Sequence, residues 1–370
     1  MHEQPAWRLR KANPQDIDAI IQLLKEGFSG YWTSAQYIYN REFLEWLYRA
    51  NPGGGAITLV AESGGEIIGH LSSILERFRV QGSLSSVGVA VHLAIHPNSR
   101  RKGIFKSLGE QMQEELKQSN AAFSLAVFPN DKSRPGFLNK LNFSAIADVP
   151  LLVKPLQIKN ILARITNKPS LAAAFSFFLR PAYQAVSQQC RIKKDDNHFK
   201  IIPISSFGAE FDLFWKQANA QAKVIQERDA RFLHWRFNQR PKQNYSVAAA
   251  FKDEELVGYI ATRKADIFSL KAGIIMDYLV LPQAQAAFHP LLEYALTSFK
   301  KDGVDFCLSA CLKNNIYYRK FKQGGFLAIP AKLNPRKFIL TGKINTKTPD
   351  SKMFMDKKNW FFTFADWDVF

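Results

Sequence analysis

Apolar residues recur along this chain with two periods, and the period changes where turn-forming residues intervene. Trp7-Arg8-Leu9-Arg10-Lys11-Ala12 alternates like a short strand, after which Asn13-Pro14-Gln15-Asp16 caps a helix with Ile17, Ile20, Ile21 and Leu24 on one face. A second helical stretch carries Phe43, Leu44, Trp46, Leu47 and Tyr48 before Asn51-Pro52-Gly53-Gly54-Gly55 stops it. Residues 57–62 and 66–71 read as a hairpin turning at Ser63-Gly64-Gly65. Residues 87–95 predict a long strand, and Ile104, Leu108, Met112 and Leu116 recur at helical spacing after it. Residues 123–128 form a strand ended by Pro129-Asn130, and a short helix over 136–141 and a strand through 143–153 complete a first unit.

The same succession returns in the second half. Phe43-Leu44-x-Trp46 recurs 189 positions later as Phe232-Leu233-x-Trp235, and Ile68-Gly69-His70 recurs at the same interval as Val257-Gly258-Tyr259. Pro97, at the end of the long strand, corresponds to Pro282 at an interval of 185, and Phe143 to Phe326 at 183. Intervals that drift by only a few residues read as a duplication with small loop changes. The expected organisation is therefore a first domain over 1–155, linker helices over 156–197, a second domain over 198–343 and an aromatic tail over 344–370. The linker has an apolar run at 171–179 beside scattered Lys and Arg. Such a segment packs across two domains, lies in a membrane interface or guides a greasy chain. Trp360, Phe361, Phe362, Phe364 and Trp367 make the tail too aromatic for water, so it should dock on a domain or at their junction.

Composition narrows the class. A chain of 370 residues exceeds one ordinary core and suits two domains, and 46% hydrophobic content with 30 Phe excludes disorder. Fifty Lys and Arg against 32 Asp and Glu leave a formal charge of +18, which implies an anionic partner such as a phosphorylated cofactor, a nucleotide-sugar, an acidic carrier protein, a nucleic acid or a membrane surface. Lys193-Lys194 and Lys357-Lys358 are short pairs without a helix-turn-helix, zinc or RNA-binding signature, so no nucleic acid is expected. Cys190, Cys307 and Cys311 lack metal-ligand spacing and read as reduced thiols, and the seven His are scattered, so no metal is expected. The N-terminus has no signal pattern and no run approaches the roughly 18 apolar residues of a membrane span, which predicts a cytoplasmic protein.

The chemistry concentrates in Leu93-Ala94-Ile95-His96-Pro97-Asn98-Ser99-Arg100-Arg101-Lys102-Gly103-Ile104-Phe105, a strand that breaks into a basic, Gly-containing turn and opens a helix. Amides at a helix start point outward without partners, so the turn can hold a pyrophosphate with help from the helix dipole. Strand, then R-x-x-G-x-(G/A), then helix resembles the acyl-CoA grip of the GNAT N-acyltransferase superfamily, with Arg100, Gly103 and Phe105 at the three motif positions. Phe105 departs from the usual small residue. The order of elements over about the first 150 residues is also what that superfamily would show. The second copy has Gln283-Ala284-Gln285-Ala286-Ala287-Phe288 at the same point, with neither Arg nor Gly, and reads as degenerate.

The resemblance implies an α/β fold, a mixed sheet in each of two tandem GNAT-like domains, each mostly antiparallel and flanked by helices. It implies acetyl-CoA or another acyl-CoA as cosubstrate and an attacking primary amine on a small molecule or amino-sugar. Strand amides near Leu93 and Ile95 would bind the pantetheine or polarise the thioester carbonyl, and those of Arg101, Lys102, Gly103, Ile104 and Phe105 the pyrophosphate. Arg100 and Lys102 can add charge, or be surface cations. Asn130 matches a position that contacts the pantetheine arm, or is a turn residue. A Tyr that commonly acts as the acid is replaced by Leu138, which leaves the acid unassigned: Ser133, water, or a thiolate that leaves unaided. The base is expected to be His92 on the central strand, since an imidazole titrates at about 6.5, with His70 and Glu62 the next choices. Each could equally point to solvent or find a structural partner. Two other readings stand beside this one: acyl transfer from an acyl carrier protein, and a non-catalytic acyl-CoA-binding module.

Overall fold

The computed structural model describes residues 7–28, 39–166, 199–330 and 337–367. Local sequence signals explain its first elements. Asn13 Oδ1 accepts the Gln15 N–H while the Asp16 carboxylate accepts the Asn13 N–H, a capping box at the entry to the first helix. That helix, α1 (Ile17–Phe28), buries the apolar face expected of it. Asn40 caps α2 (Arg41–Tyr48), which buries Phe43, Leu44, Trp46 and Leu47. Around them run strands β1 (Arg8–Lys11), β2 (Ala56–Ser63), β3 (Glu66–Val80) and β4 (Ser83–Ile95), then α3 (Ile104–Gln118), β5 (Phe123–Val127), α4 (Arg134–Lys140) and β6 (Ser144–Asp148). Helix α3 covers one face of the sheet, where Ile104, Leu108, Met112 and Leu116 pack on Leu59, Ala61 and Leu71. Helix α1 packs against β3 and β4.

The second half repeats this order after β7 (Leu151–Pro155) and α5 (Ile158–Thr166). It comprises β8 (Lys200–Ile204), α6 (Ala209–Ala218), β9 (Val224–Gln226), α7 (Ala230–Phe237), β10 (Tyr245–Lys252), β11 (Glu255–Ile267), β12 (Leu270–Val280), α8 (Phe288–Lys301), β13 (Phe306–Ala310), α9 (Ile316–Gln323) and β14 (Leu327–Ala328). A last strand, β15 (Ile339–Ile344), and a short helix, α10 (Ser351–Met355), follow.

The chain divides into two compact units that do not follow chain order. One holds residues 7–28, 39–148, 239–241 and 337–357, and the other holds 149–166, 199–238, 242–330 and 358–367. The first sheet runs β1-β2-β3-β4-β5-β15-β6 and the second β14-β7-β13-β12-β11-β10-β8. The two halves have exchanged their last strands. β15 pairs antiparallel with β5 and β6, and β7 takes the corresponding position between β13 and β14. A single strand through 143–153 was the expectation, with a boundary after 155. Instead the chain pairs residues 144–148 in one sheet, passes Val149-Pro150 and pairs 151–155 in the other. Alternation marks a segment as strand but does not name its partner, and loop-closure cost grows slowly with length.

The tail likewise divides. Residues up to 357 belong with the first unit, while Trp360, Phe361, Phe362, Phe364 and Trp367 are buried in the second. There the buried Arg236 guanidinium donates to the carbonyls of Ala365 at 3.1 Å and Trp367 at 2.9 Å and to the Tyr245 hydroxyl at 3.1 Å, which ties the tail down. Most of the expected linker, with its apolar run at 171–179, Lys193-Lys194 and Cys190, lies outside the described residues. Cys307 and Cys311 are free and buried. Among the described residues no helix is long and apolar enough to cross a membrane.

Candidate active site

In the first unit β4 pairs parallel with β5, and the pairing ends early. The ladder joins Val87, Gly88 and Val89 to Phe123, Ser124 and Leu125 and stops there, although both strands continue. On its other edge β4 is bulged. Ser72 pairs with Val91 but His70 with Ala94, so two residues, His92 and Leu93, stand opposite Leu71. His92 takes the left-handed conformation, φ +55°, which is costly for a residue with a Cβ. The bulge turns the end of β4 away from β5 and opens a gap between them. Pairing of Ile95 with Gly69 and the 3.3 Å bond from Arg100 Nε to the Ile95 carbonyl mark Ile95 as a residue whose peptide groups face the gap side.

Beyond Ile95 the chain makes a short 3-10 turn (Pro97–Ser99), then reverses through two left-handed residues, Arg101 at φ +66° and Gly103 at φ +83°, into α3. Gly103 is the N-cap and offers no side chain to the first-turn amides, so those donors remain for a ligand. Successive amides in such a turn converge as an anion cradle. Arg100, Arg101 and Lys102 are exposed, and no ion pair joins them to a carboxylate among the described residues. Ile104 is a core residue whose side chain faces the sheet. Phe105, which broke the motif, points its ring away from the turn and onto α4. It meets Phe137 edge-on at 5.7 Å and lies over Gly136, where an added Cβ would come within 2.4 Å of it. The large residue is accommodated by the small one opposite, and the turn keeps its backbone.

Beneath the bulge the two expected histidines meet through a residue that sequence reasoning passed over. Tyr48, at the end of α2, has its hydroxyl 2.7 Å from His92 Nδ1 and 3.2 Å from His70 Nε2. His70 Nδ1 lies 3.2 Å from the Leu59 carbonyl, which only accepts, so the ring proton sits there and Nε2 is the acceptor. Burial pushes the His70 imidazole down to about 3, with His92 adding to the shift, so His70 is neutral near pH 7. Tyr39 and Phe43 pack edge-on and tilted against the His92 ring, at 5.1 and 5.8 Å. Nothing in the periodicity separates Tyr48 from the core residues of α2; only the fold brings it to the bulge. A cavity of about 370 Å³ that includes Tyr48, Leu44, Ile17 and Thr58 in its walls shares no residue with the phosphate turn.

Glu62 does not join this group. Its carboxylate pairs with Arg10 at 2.6 Å and Arg8 at 2.9 Å on the β1 side of the sheet, and the two guanidinium groups hold it below the usual carboxylate range. Asn130 serves the turn after β5, with Oδ1 accepting the N–H of Lys132 at 3.0 Å and of Ser133 at 2.9 Å. The Ser133 hydroxyl is 3.4 Å from the Asn130 carbonyl. Leu138 is half-buried on α4.

The second unit preserves the backbone of this site and fills it. Its parallel ladder ends at Ile274 with Leu308, 185 and 183 positions after Val89 and Leu125. A bulge follows at Met276, next to Asp277. Asp277 corresponds to His92 and Tyr259 to His70, and here the two are bonded directly, Tyr259 Oη donating to Asp277 at 2.7 Å. Arg228 and Thr363 complete the buried cluster at 3.2 and 2.8 Å. Past the bulge the gap is closed by side chains. The Val280 N–H donates to the Tyr317 hydroxyl at 2.9 Å, and Tyr278, Tyr317, Phe288 and Phe321 pack edge to face with centroids 5.0–5.6 Å apart. The turn at Pro282–Ala287 is 3-10 helix kinked at Ala284, has no left-handed residue and bonds the Ala284 N–H to the Leu281 carbonyl at 2.9 Å.

Comparison with known proteins agrees with this geometry. Residues 8–146 match the family model of the acetyltransferase (GNAT) domain. No curated protein matches the chain. Among solved structures, a GCN5-related N-acetyltransferase from Anabaena variabilis is similar with a TM-score of 0.63 at 11% identity, over 92% of this chain and 73% of that one. A probable N-acyltransferase from Enterococcus faecalis gives 0.60 at 12% over 91% and 72%. The Saccharomyces cerevisiae N-myristoyltransferase with bound myristoyl-CoA gives 0.57 at 12% over 94% and 85%. The two helix-flanked sheets of this chain share the fold of these structures.

Proposed function

From a chain that carries a GNAT acetyltransferase domain at residues 8–146, we propose that the first unit transfers an acyl group from acyl-CoA to the primary amine of a small molecule or amino-sugar, and that the second unit is a copy without catalytic function. The observation that carries this reading is the gap beyond Val89 and Leu125, which continues into the left-handed turn at Arg101 and Gly103 in the first unit alone. The gap suits an extended pantetheine arm, and the turn suits a diphosphate. Arg100, Arg101 and Lys102 supply neutralising charge there.

In this reading the acyl carbonyl lies near the bulge, where outward N–H groups of the strand around Leu93 and Ile95 stabilise the oxyanion as it forms. The amine attacks the carbonyl carbon, the C–S bond breaks and CoA leaves as thiolate. His92 takes the proton lost by the amine nitrogen, and the thiolate is protonated from solvent, since thiols titrate at about 8.5. Tyr48 and His70 hold the His92 ring in orientation. Acetyl-CoA is the default donor.

Mixing the purified protein with acetyl-CoA, longer acyl-CoAs and a panel of amines should release free thiol in step with amide formation. CoA binding with no turnover on any amine would favour a non-catalytic acyl-CoA-binding module instead.

A further inference from the structure

We propose that Arg134 binds the pantetheine arm of the acyl-CoA through its Nη1 nitrogen, an assignment that rests on the reading of the first unit as the acyl-CoA site. The duplication supplies the first support. Leu125 and Leu308 end corresponding ladders 183 positions apart, and Phe143 and Phe326 follow the corresponding helices at the same interval, so Arg134 is the counterpart of Tyr317. Tyr317 reaches from α9 to the strand beyond the bulge, where its hydroxyl accepts the Val280 N–H and donates to Gln221 at 3.0 Å. A side chain at this position therefore spans the gap.

The second support comes from the hydrogen bonds of Arg134 itself. Its Nη2 pairs with Asp131, its side chain is only 15% exposed, and its Nη1 is buried without an acceptor. Native proteins rarely leave a buried guanidinium N–H unmet, because the donor loses water and gains nothing. The unmet donor and the open gap explain each other if a ligand brings the acceptor. With the diphosphate on the turn at residues 101–105, the part of the cofactor that lies along the gap is pantetheine, which carries two amide carbonyls. Asp131 already balances the charge of Arg134, which leaves it the role of a hydrogen-bond donor to a neutral carbonyl.

Calorimetric titration with CoA and ligand-observed NMR titration with pantetheine, which has no phosphate, test the assignment in wild type, Arg134→Ala and Arg134→Gln. Arg134→Ala should weaken both ligands by the same factor, at least tenfold, and Arg134→Gln should recover part of the loss because its amide still donates. Melting temperature should not fall in either variant beyond what loss of the exposed Asp131 pair explains; if the Ala variant does not fold, the Gln variant carries the same comparison. A loss confined to CoA would reassign Arg134 to the phosphates and overturn the proposal, as would unchanged affinity for both. Wild-type protein that binds neither ligand would instead remove the acyl-CoA reading on which it rests.

Discussion

Two strand gaps on one backbone plan separate a candidate active site from a core. In both units a parallel ladder stops at corresponding residues, a bulge follows, and a pair of polar side chains stands at the bulge. In the first unit that pair is His70 and His92, joined through Tyr48. In the second it is Tyr259 and Asp277, locked by Arg228. Beyond the bulge the first gap is flanked by a left-handed, basic turn, and the second is packed with Tyr278, Tyr317, Phe288 and Phe321. The architecture therefore does not by itself specify function. What distinguishes the units is whether strand amides and turn amides are left for a ligand or are met from within.

The largest effect should come from breaking the exchange of strands that both units share. A chain ended after residue 155 keeps the whole GNAT motif but loses β15, which pairs along both β5 and β6. It should fail to fold: far-ultraviolet dichroism and amide dispersion should show no native sheet. A folded, CoA-binding fragment would mean that the exchange is dispensable.

Next in size is an acid effect at the first bulge. His70 is neutral in the folded protein down to about 3, whereas an unfolded histidine takes up a proton below 6.5. Between these values the unfolded state binds more protons, so stability is fully present above pH 6.5 and falls as the pH is lowered. The slope contributed is at most about 1.4 kcal/mol per pH unit. Urea midpoints measured from pH 7 to 4 should fall less steeply in His70→Gln than in wild type. Tyr259→Phe should leave the steepness unchanged, because burial raises that phenol well above its ordinary value and it stays neutral throughout.

The phosphate turn gives a smaller and more specific contrast. Gly103→Asp keeps a residue type that tolerates the left-handed conformation, and an added Cβ meets nothing there. The fold should survive, but the new carboxylate faces the diphosphate, and CoA affinity should drop on the order of 100-fold, about 3 kcal/mol. Gln285→Asp, at the corresponding turn of the second unit, should leave affinity unchanged. Equal losses at the two sites would erase the distinction between the units.

Much of this was legible in the chain. The helix cap at Asn13, the Gly64-Gly65 hairpin and the repeat at 183–189 positions gave the elements, and Arg100 and Gly103 gave the turn. The exchange of β7 and β15 was not legible, because a strand's pattern records that one face is buried and not which neighbour buries it. The bulge was hidden for a related reason: one extra residue in β4 leaves the apolar alternation almost intact. Tyr48 looked like core because α2 is apolar around it, and Glu62 looked like a base because Arg8 and Arg10 are 54 and 52 positions away in sequence. Chemistry that depends on pairs distant in sequence became visible only once the sheet fixed their register.

The smallest expected effect tests the filled gap directly. Tyr317→Phe removes the hydroxyl that accepts the Val280 N–H and leaves the aromatic packing of the ring in position. A buried amide deprived of its partner costs about 1–3 kcal/mol, so the urea midpoint should fall while CoA affinity and stoichiometry stay as in wild type. The reason is that the ring still occupies the gap and the turn at Pro282–Ala287 still lacks the left-handed residues and the basic side chains of the first unit's turn. Removing one bond from the plug exposes a donor without making a site. A second equivalent of CoA bound by Tyr317→Phe would show that the hydroxyl alone keeps the second gap closed, and the two units would then differ by occupancy of one amide and not by the loss of a phosphate cradle.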